Sequence, residues 1–297
     1  MAEDSVEIIM NYSEPVFRPP SEADSFILQI TYGCSHNKCT FCGMYRNKKF
    51  FIRPMDDIIK DITAAGKLFP GTRRVFLADG DALVLKTEIL LKVLEELNKV
   101  FPQLQRVGIY GNPHGILRKD KEEIRQLKEL KLGIVYLGLE SGSEEILRDV
   151  NKGFTAEDMI ECVRYSQEYD IKMSVIILLG LGGVKYSRLH AIKTAEALNR
   201  MEPRYLSALT LMPVGGTPLY EAVKKGDFIL PKAEDLLKEL RLLIENLNLK
   251  GTIFRSNHAS NYLPLAGRFP KDKERLLAEI DYTIEHGNLI PEFFRGL

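Results

Sequence analysis

Six short apolar runs, each followed by a stretch of helical periodicity, limit the fold of this chain more than any other feature. The runs are FILQIT (26–31), RVFLA (74–78), RVGIY (106–110), GIVYLGL (133–139), KMSVIILL (172–179) and YLSALTL (205–211). Each is rich in β-formers and short enough to be a strand buried on both faces, as strands of parallel sheets are. Helix-like segments lie between them, near 55–69, 86–100, 119–130, 155–169 and 187–201. In the second of these, Leu90, Val93, Leu94 and Leu97 recur at i, i+3, i+4 and i+7, an apolar stripe along one helix face. Thr155 with Asp158 reads as a capping box that opens a later helix.

Alternating units of this kind predict a parallel sheet with helices outside it. Periodicity alone leaves the closure open, between a doubly wound sheet and a full or partial barrel. In both architectures the working residues gather at the C-terminal ends of the strands. The glycine-rich and polar segments fall there, in order: GCSHNKC, DGD, GNPHG, ESGS, GLGG and PVGGTP. Residues 1–24 read as an extended, proline-containing lead-in, 25–220 as the core, and 221–297 as a mostly helical extension with a polar break at 254–262.

With 45% hydrophobic residues among 297, the chain can bury a sizeable core. It has no apolar run of the ~18 residues that span a bilayer. Its acidic start, MAEDSVEI, lacks a secretory signal pattern. A cytoplasmic protein without a membrane partner is expected. Lys+Arg and Asp+Glu both number 41, so no net charge draws the chain to phosphate backbones and a nucleic-acid partner is not expected.

Three of the four cysteines, Cys34, Cys39 and Cys42, sit within nine residues. In a cytosolic chain of this size, clustered cysteines read as metal ligands rather than disulfides. Thiolates suit both zinc and iron–sulfur clusters, and spacing alone leaves both open. A structural zinc needs a fourth ligand, for which His36 is the near candidate. Cys162 stands alone between apolar helix positions and reads as a small buried hydrophobe.

The stretch ITYGCSHNKCTFCGMY resembles the cluster loop of the radical S-adenosylmethionine (radical SAM) superfamily, with Phe41 at the aromatic position before the third cysteine. The usual spacing is Cys-x3-Cys-x2-Cys, and this chain has one extra residue in the first gap. LGLESGSEEILRDVNKGFT (137–155) resembles the fourth-strand segment of the tRNA methylthiotransferases and oxygen-independent coproporphyrinogen oxidases, with Glu140 for Gln and Lys152 for Arg. FLADGDAL (76–83) occupies the place of the glycine-rich turn after the second strand. LLGLGG (178–183) and LMPVGGTPLY (211–220) resemble the ends of strands five and six.

The resemblance implies a partial (β/α)6 TIM-type barrel and one oxygen-sensitive [4Fe-4S] cluster on Cys34, Cys39 and Cys42. It implies reductive cleavage of S-adenosylmethionine to a 5′-deoxyadenosyl radical that takes hydrogen from a substrate. Glu140 would hold the cofactor's ribose hydroxyls, Lys152 would pair with its carboxylate, and Ser141 would be a further cofactor contact. Asp79, Gly80 and Asp81 would meet its amino group. Phe41, Gly180, Met212 and Pro213 would flank its adenine. Related families place an Asp where this chain has Ile176. With no further cysteine cluster and a short lead-in, neither an auxiliary cluster nor a cobalamin domain is expected.

The basic stretch Lys38, Arg46, Lys48, Lys49 and Arg53 is a candidate docking face for an acidic flavodoxin or ferredoxin-type electron donor. Arg255 and His258 in the polar break are candidates for holding the substrate and exchanging a proton. The competing reading is a haem- or cluster-binding chaperone on the same fold, with His36, His114 or His258 as haem ligand.

Overall fold

The computed structural model describes residues 12–295, and the acidic start of the lead-in (1–11) lies outside them. All six apolar runs form strands: β1 (Phe26–Gln29), β2 (Arg74–Ala78), β3 (Arg106–Tyr110), β4 (Leu132–Glu140), β5 (Lys172–Leu179) and β6 (Tyr205–Thr210). Two more follow, β7 (Ile253–Ser256) and β8 (Leu265–Arg268). They bond in sequence order into one sheet, parallel from β1 to β7, with β8 antiparallel to β7. The C-terminal region is mostly helical and also contributes this last strand pair.

The helices are α1 (Met55–Leu68), α2 (Thr87–Val100), α3 (Pro113–Leu117), α4 (Lys121–Glu129), α5 (Glu144–Asp149), α6 (Ala156–Glu168), α7 (Gly183–Met201), α8 (Pro218–Lys225), α9 (Ala233–Asn246) and α10 (Lys273–His286). The α2 stripe is buried as the periodicity predicts. Thr155 and Asp158 form the capping box of α6.

Side chains alternate across each strand, so the sheet has two distinct faces. Val75, Leu77, Val107, Ile109, Val135, Val175 and Ile177 face the helices in the main core, which also holds Cys162. The opposite face carries Phe76, Ala78, Ile134 and Tyr136, joined by Ile27, Tyr110, Tyr205 and Val16 of the lead-in. No helix residue belongs to this second cluster. A parallel sheet with helices on one face only buries its other face by curling over it. The result is an open TIM-type partial barrel.

The lead-in runs through the concave side and fills its lower part. Ser13 and the Gln29 side chain exchange two hydrogen bonds of 2.9 and 3.0 Å. Glu22 is fully buried, accepting from Arg106 at 2.6 Å and from the Tyr136 hydroxyl at 2.5 Å. Above this plug, Ile176, Leu178, Ser207 and Leu209 on the concave face remain partly exposed. Among the described residues no helix is long and apolar enough to cross a membrane.

Candidate active site at the strand ends

The cysteine loop leaves the end of β1 and is tied down from four directions. Gly33 has φ +72°, and its amide donates to Asp79 Oδ2 at 2.9 Å. A Cβ at Gly33 would meet the Lys48 carbonyl at 2.7 Å, so this turn requires glycine. The Thr40 amide donates to the Val150 carbonyl at 2.9 Å, and the Leu219 amide to the Thr40 carbonyl at 3.1 Å. The Arg46 guanidinium donates to the carbonyls of Cys39 (2.8 Å) and Cys42 (3.0 Å), closing the loop on itself.

Cys34, Cys39 and Cys42 are free, half-buried thiols. Burial pushes all three up, Cys39 to about 11. His36, the candidate fourth ligand, instead directs Nε2 to the Asn151 carbonyl at 2.7 Å. Among the described residues no three His, Cys, Asp or Glu side chains close around a single ion. The fit to a cluster rests on donor chemistry: three thiols on one loop and no committed fourth protein ligand, which leaves one iron of a cubane open.

The two aspartates after β2 have different surroundings. Asp79 is fully buried, and both its carboxylate oxygens are engaged. Oδ1 accepts from Gln29 at 3.0 Å, while Oδ2 takes Gly33 and the Lys48 ammonium at 2.7 Å. Asp81 is 2% exposed; its Oδ2 accepts from Ser35 and from Asn112 at 2.6 Å. Its Oδ1 is buried with no partner. Burial raises the Asp81 carboxyl to about 7. Gly80, between them, lies where a Cβ would strike the Tyr45 ring at 2.5 Å and come within 3.2 Å of the Cys34 Cβ.

Glu140 ends β4 at a register shift between Gly138 and Glu140 and has φ +62°. Bulges re-aim side chains, and this one turns Glu140 onto the rim. Left-handed residues at Asn151 (φ +53°) and Gly153 (φ +82°) reverse the chain after α5 and return Lys152 to the same place. The Lys152 ammonium donates to Glu140 Oε1 at 2.9 Å, with each side chain 14% exposed. Burial lowers the Lys152 pKa, but the Glu140 carboxylate and the charge of Cys39 outweigh it, and the net direction is up. Ser141, by contrast, is fully buried and directs its hydroxyl to His190 Nδ1 at 2.8 Å, away from the rim.

Phe41 and Leu178 pack beside Leu181 and Leu211 in a small apolar cluster at the rim. Met212 and Pro213, half-buried, follow β6. Gly180 closes β5 at φ +82°. Ile176 is a half-buried apolar residue on the concave face, level with Gly138 and Ser207 in the ladder.

The polar break expected at 254–262 is strand β7 and the loop after it. Phe254 and Ser256 face the core, so Arg255 faces the concave side, in register with Ser207. Arg255 is exposed and, among the described residues, donates only to the Phe254 carbonyl, at 2.8 Å. His258 is half-buried, with Nδ1 2.9 Å from Ser260 Oγ, and burial lowers its pKa. Ser260 and Asn261 bind the end of β6: Ser260 Oγ accepts from the Thr210 amide, and Asn261 Oδ1 from the Thr210 hydroxyl at 2.8 Å.

The basic docking face is corrected by the structure. Lys48 is buried against Asp79, and Arg53 is buried with Nη1 2.7 Å from both Asp61 and the Gln29 carbonyl. Arg46 is committed to the loop carbonyls, which leaves Lys38 and Lys49 exposed. Buried cations require partners, and local sequence does not show which lysine has one. Arg46 was missed as a loop clamp, although its place four residues after Cys42 is the signal that could have found it.

A family model for the radical SAM superfamily matches residues 28–195, more than half of the chain. A probable threonylcarbamoyladenosine tRNA methylthiotransferase of Pyrococcus horikoshii is 26% identical over 228 residues, covering 74% of this chain and 52% of that protein. A putative methylthiotransferase of Methanocaldococcus jannaschii is 24% identical over 147 residues, covering 48% of this chain and 32% of that protein. The chain thus spans about half or less of these relatives. Coproporphyrinogen III oxidase of Escherichia coli superposes with a TM-score of 0.57 at 17% identity, covering 74% of this chain and 51% of that chain. That likeness shows the fold alone.

Proposed function

This chain belongs to the radical SAM superfamily, and from that premise we propose that it is an enzyme holding one [4Fe-4S] cluster on Cys34, Cys39 and Cys42. Held there and reduced, such a cluster would supply the one electron that cleaves S-adenosylmethionine reductively to methionine and a 5′-deoxyadenosyl radical, which would take hydrogen from the substrate. The observation that carries this reading is that the segment bearing Lys152 is tied to the cysteine loop, Thr40 N–H to the Val150 carbonyl at 2.9 Å and Asn151 to the Lys38 carbonyl at 3.2 Å, which sets the Glu140–Lys152 pair beside the thiols.

The chain's own residues orient and enclose. Arg46 holds the loop that presents the thiols. Asp81, with one buried carboxylate oxygen unpartnered, receives the cofactor's amino group. Asp79, saturated by protein donors, sets the turn that places Asp81 and Gly80. Lys152 pairs with the cofactor's carboxylate, and Glu140 accepts from its ribose hydroxyls. Phe41, Gly180, Met212 and Pro213 flank the adenine. Ile176 offers the ribose no hydrogen bond, so Glu140 carries that contact. Arg255 faces the concave side where a substrate carboxylate or phosphate would lie, with His258 as a proton-exchanging neighbour. A flavodoxin or ferredoxin supplies the electron.

The test is anaerobic reconstitution. The protein should take up about four irons and four sulfides per chain, as one cubane requires. With S-adenosylmethionine and dithionite it should form 5′-deoxyadenosine. Ala at any of Cys34, Cys39 or Cys42 should abolish the cluster, whereas Cys162→Ala should retain it. Zinc alone on the three cysteines, or tight one-to-one haem binding without 5′-deoxyadenosine, would overturn the reading.

A further inference from the structure

A buried polar chain lies behind the rim, where apolar packing would be cheaper. His190 of α7 is fully buried, with Nδ1 2.8 Å from Ser141 Oγ and Nε2 3.7 Å from Glu239 Oε1 of α9. Glu239 is 2% exposed. Its Oε1 accepts from the Gly180 amide at 2.7 Å and its Oε2 from the Ser187 hydroxyl at 2.5 Å. Ser141 Oγ accepts from the Ser143 amide at 3.1 Å, and the Gly142 amide donates to Thr194 Oγ1 at 2.9 Å.

Burial lowers the His190 pKa, so the ring is neutral near pH 7. The Ser141 oxygen already accepts from Ser143, so its hydroxyl hydrogen is free to point at Nδ1. That leaves the ring N–H on Nε2, which lies 3.7 Å from Glu239 Oε1 and has no hydrogen-bond partner among the described residues. A Ser–His–carboxylate order resembles a nucleophile relay, but Ser141 and His190 have no exposed surface and no substrate reaches them. The chain acts on geometry instead.

Its two ends are informative. Ser141 directly follows Glu140 and is held by His190, while Gly180 closes β5 and is held by Glu239; the two sets approach at 3.7 Å between His190 and Glu239, so neighbouring strand ends are held from one place behind the sheet. Helix α9 also presses on the same point: a Cβ at Gly180 would meet Leu236 Cδ2 at 2.8 Å, one turn from Glu239. Buried polar groups cost stability relative to apolar packing, and what their bonds to the two strand ends confer in return is a fixed arrangement there.

We infer that Glu239 and His190 are positioning residues. Glu239 anchors Gly180, His190 anchors Ser141, and together they set the spacing between the ribose-side and adenine-side contacts of the cofactor. This rests on the reading that S-adenosylmethionine lies against the ends of β4 and β5. The C-terminal region therefore shapes the cofactor site through α9 without touching the cofactor.

The test uses the full chain with its cluster reconstituted anaerobically. Glu239→Gln keeps the size and removes the charge: the Ser187 hydroxyl can turn to accept from the new NH2, but the charge-assisted bond to the Gly180 amide becomes a neutral one. The KM and Kd for S-adenosylmethionine should rise roughly ten-fold, as for loss of one charged hydrogen bond, with the change falling on KM rather than kcat. Iron content should stay at the wild-type level. In the metal-free protein, hydrogen exchange over residues 178–183 should quicken. Ser187→Ala removes one acceptor bond of Glu239 and should raise the same KM by about two- to three-fold. Wild-type KM and Kd in a cluster-loaded Glu239→Gln protein overturn the inference. If that variant does not fold, a wild-type KM in Ser187→Ala overturns it instead. A wild-type protein that loads its cluster yet binds no S-adenosylmethionine overturns the cofactor-site reading itself, and is recognised before any variant is made.

Discussion

Two lysine–carboxylate pairs flank the cysteine loop, and they differ in what remains once each pair has met. Lys48 spends all three ammonium hydrogens inside the protein, on Asp79 and on the carbonyls of Ser13 and Pro15. Asp79 is equally saturated, by Lys48, Gly33 and Gln29. Lys152 has one partner among the described residues, Glu140, and keeps two donors in reserve. Glu140 is held on a left-handed backbone, a conformation that costs about 1–3 kcal/mol and persists where the surroundings enforce it. A saturated pair holds a fold together, whereas an unsaturated pair has valences left for a ligand.

The sharpest break of this contrast is Lys48→Met. It leaves the Asp79 carboxylate buried and unpaired, which should destabilise the metal-free protein by roughly 3–5 kcal/mol in urea unfolding. The double change Lys48→Met with Asp79→Asn should lose less than the two single changes summed, because no orphan charge remains. A loss below about 1 kcal/mol for Lys48→Met would place this pair with the weak surface pairs.

Glu140→Ala and Lys152→Ala should invert that pattern. Stability should fall less than for Lys48→Met, because the charge left behind stands at the rim rather than fully buried, while S-adenosylmethionine affinity falls by ~1.5–3 kcal/mol, about ten- to a hundred-fold, with cluster content unchanged. Wild-type affinity in both variants would remove the pair from the cofactor site.

Arg255, which has no carboxylate partner among the described residues, extends the series. Arg255→Ala should lower substrate turnover roughly ten-fold or more, as loss of an anion clamp does, while 5′-deoxyadenosine still forms without substrate. Smallest is the effect of the exposed loop lysines. Lys38→Glu with Lys49→Glu should slow reduction by flavodoxin at low salt by about two- to three-fold per charge and spare reduction by dithionite. Equal slowing with both reductants would mean that the reversals damage the loop rather than docking.

The parallel sheet was legible because strands buried on both faces must be continuous apolar runs, and six such runs stand out. Strand β7 was not, because Ile253–Ser256 alternates Phe254 inward with Arg255 outward over four residues and reads as a polar break. The short helix α5 was hidden for a similar reason: six residues are too few to display a 3.6 period. In the site, the three cysteines were legible because thiols within nine residues have few other uses. Asp79 and Asp81 were not distinguishable, since they differ by two positions in one turn and only the packing assigns Lys48 to one of them.

The sequence by itself determined a parallel α/β sheet with its chemistry at the strand ends, and the residue types available there, because periodicity and covalent spacing are local properties. Only the tertiary structure decided which charges are saturated. It buried Lys48 and Arg53, left Lys152 and Arg255 with donors to spare, and brought Glu239 from far along the chain to the amide of Gly180. A hydrogen bond is settled by distance in space, and residues 59 positions apart meet at 2.7 Å only after the sheet has curled and α9 has packed behind it.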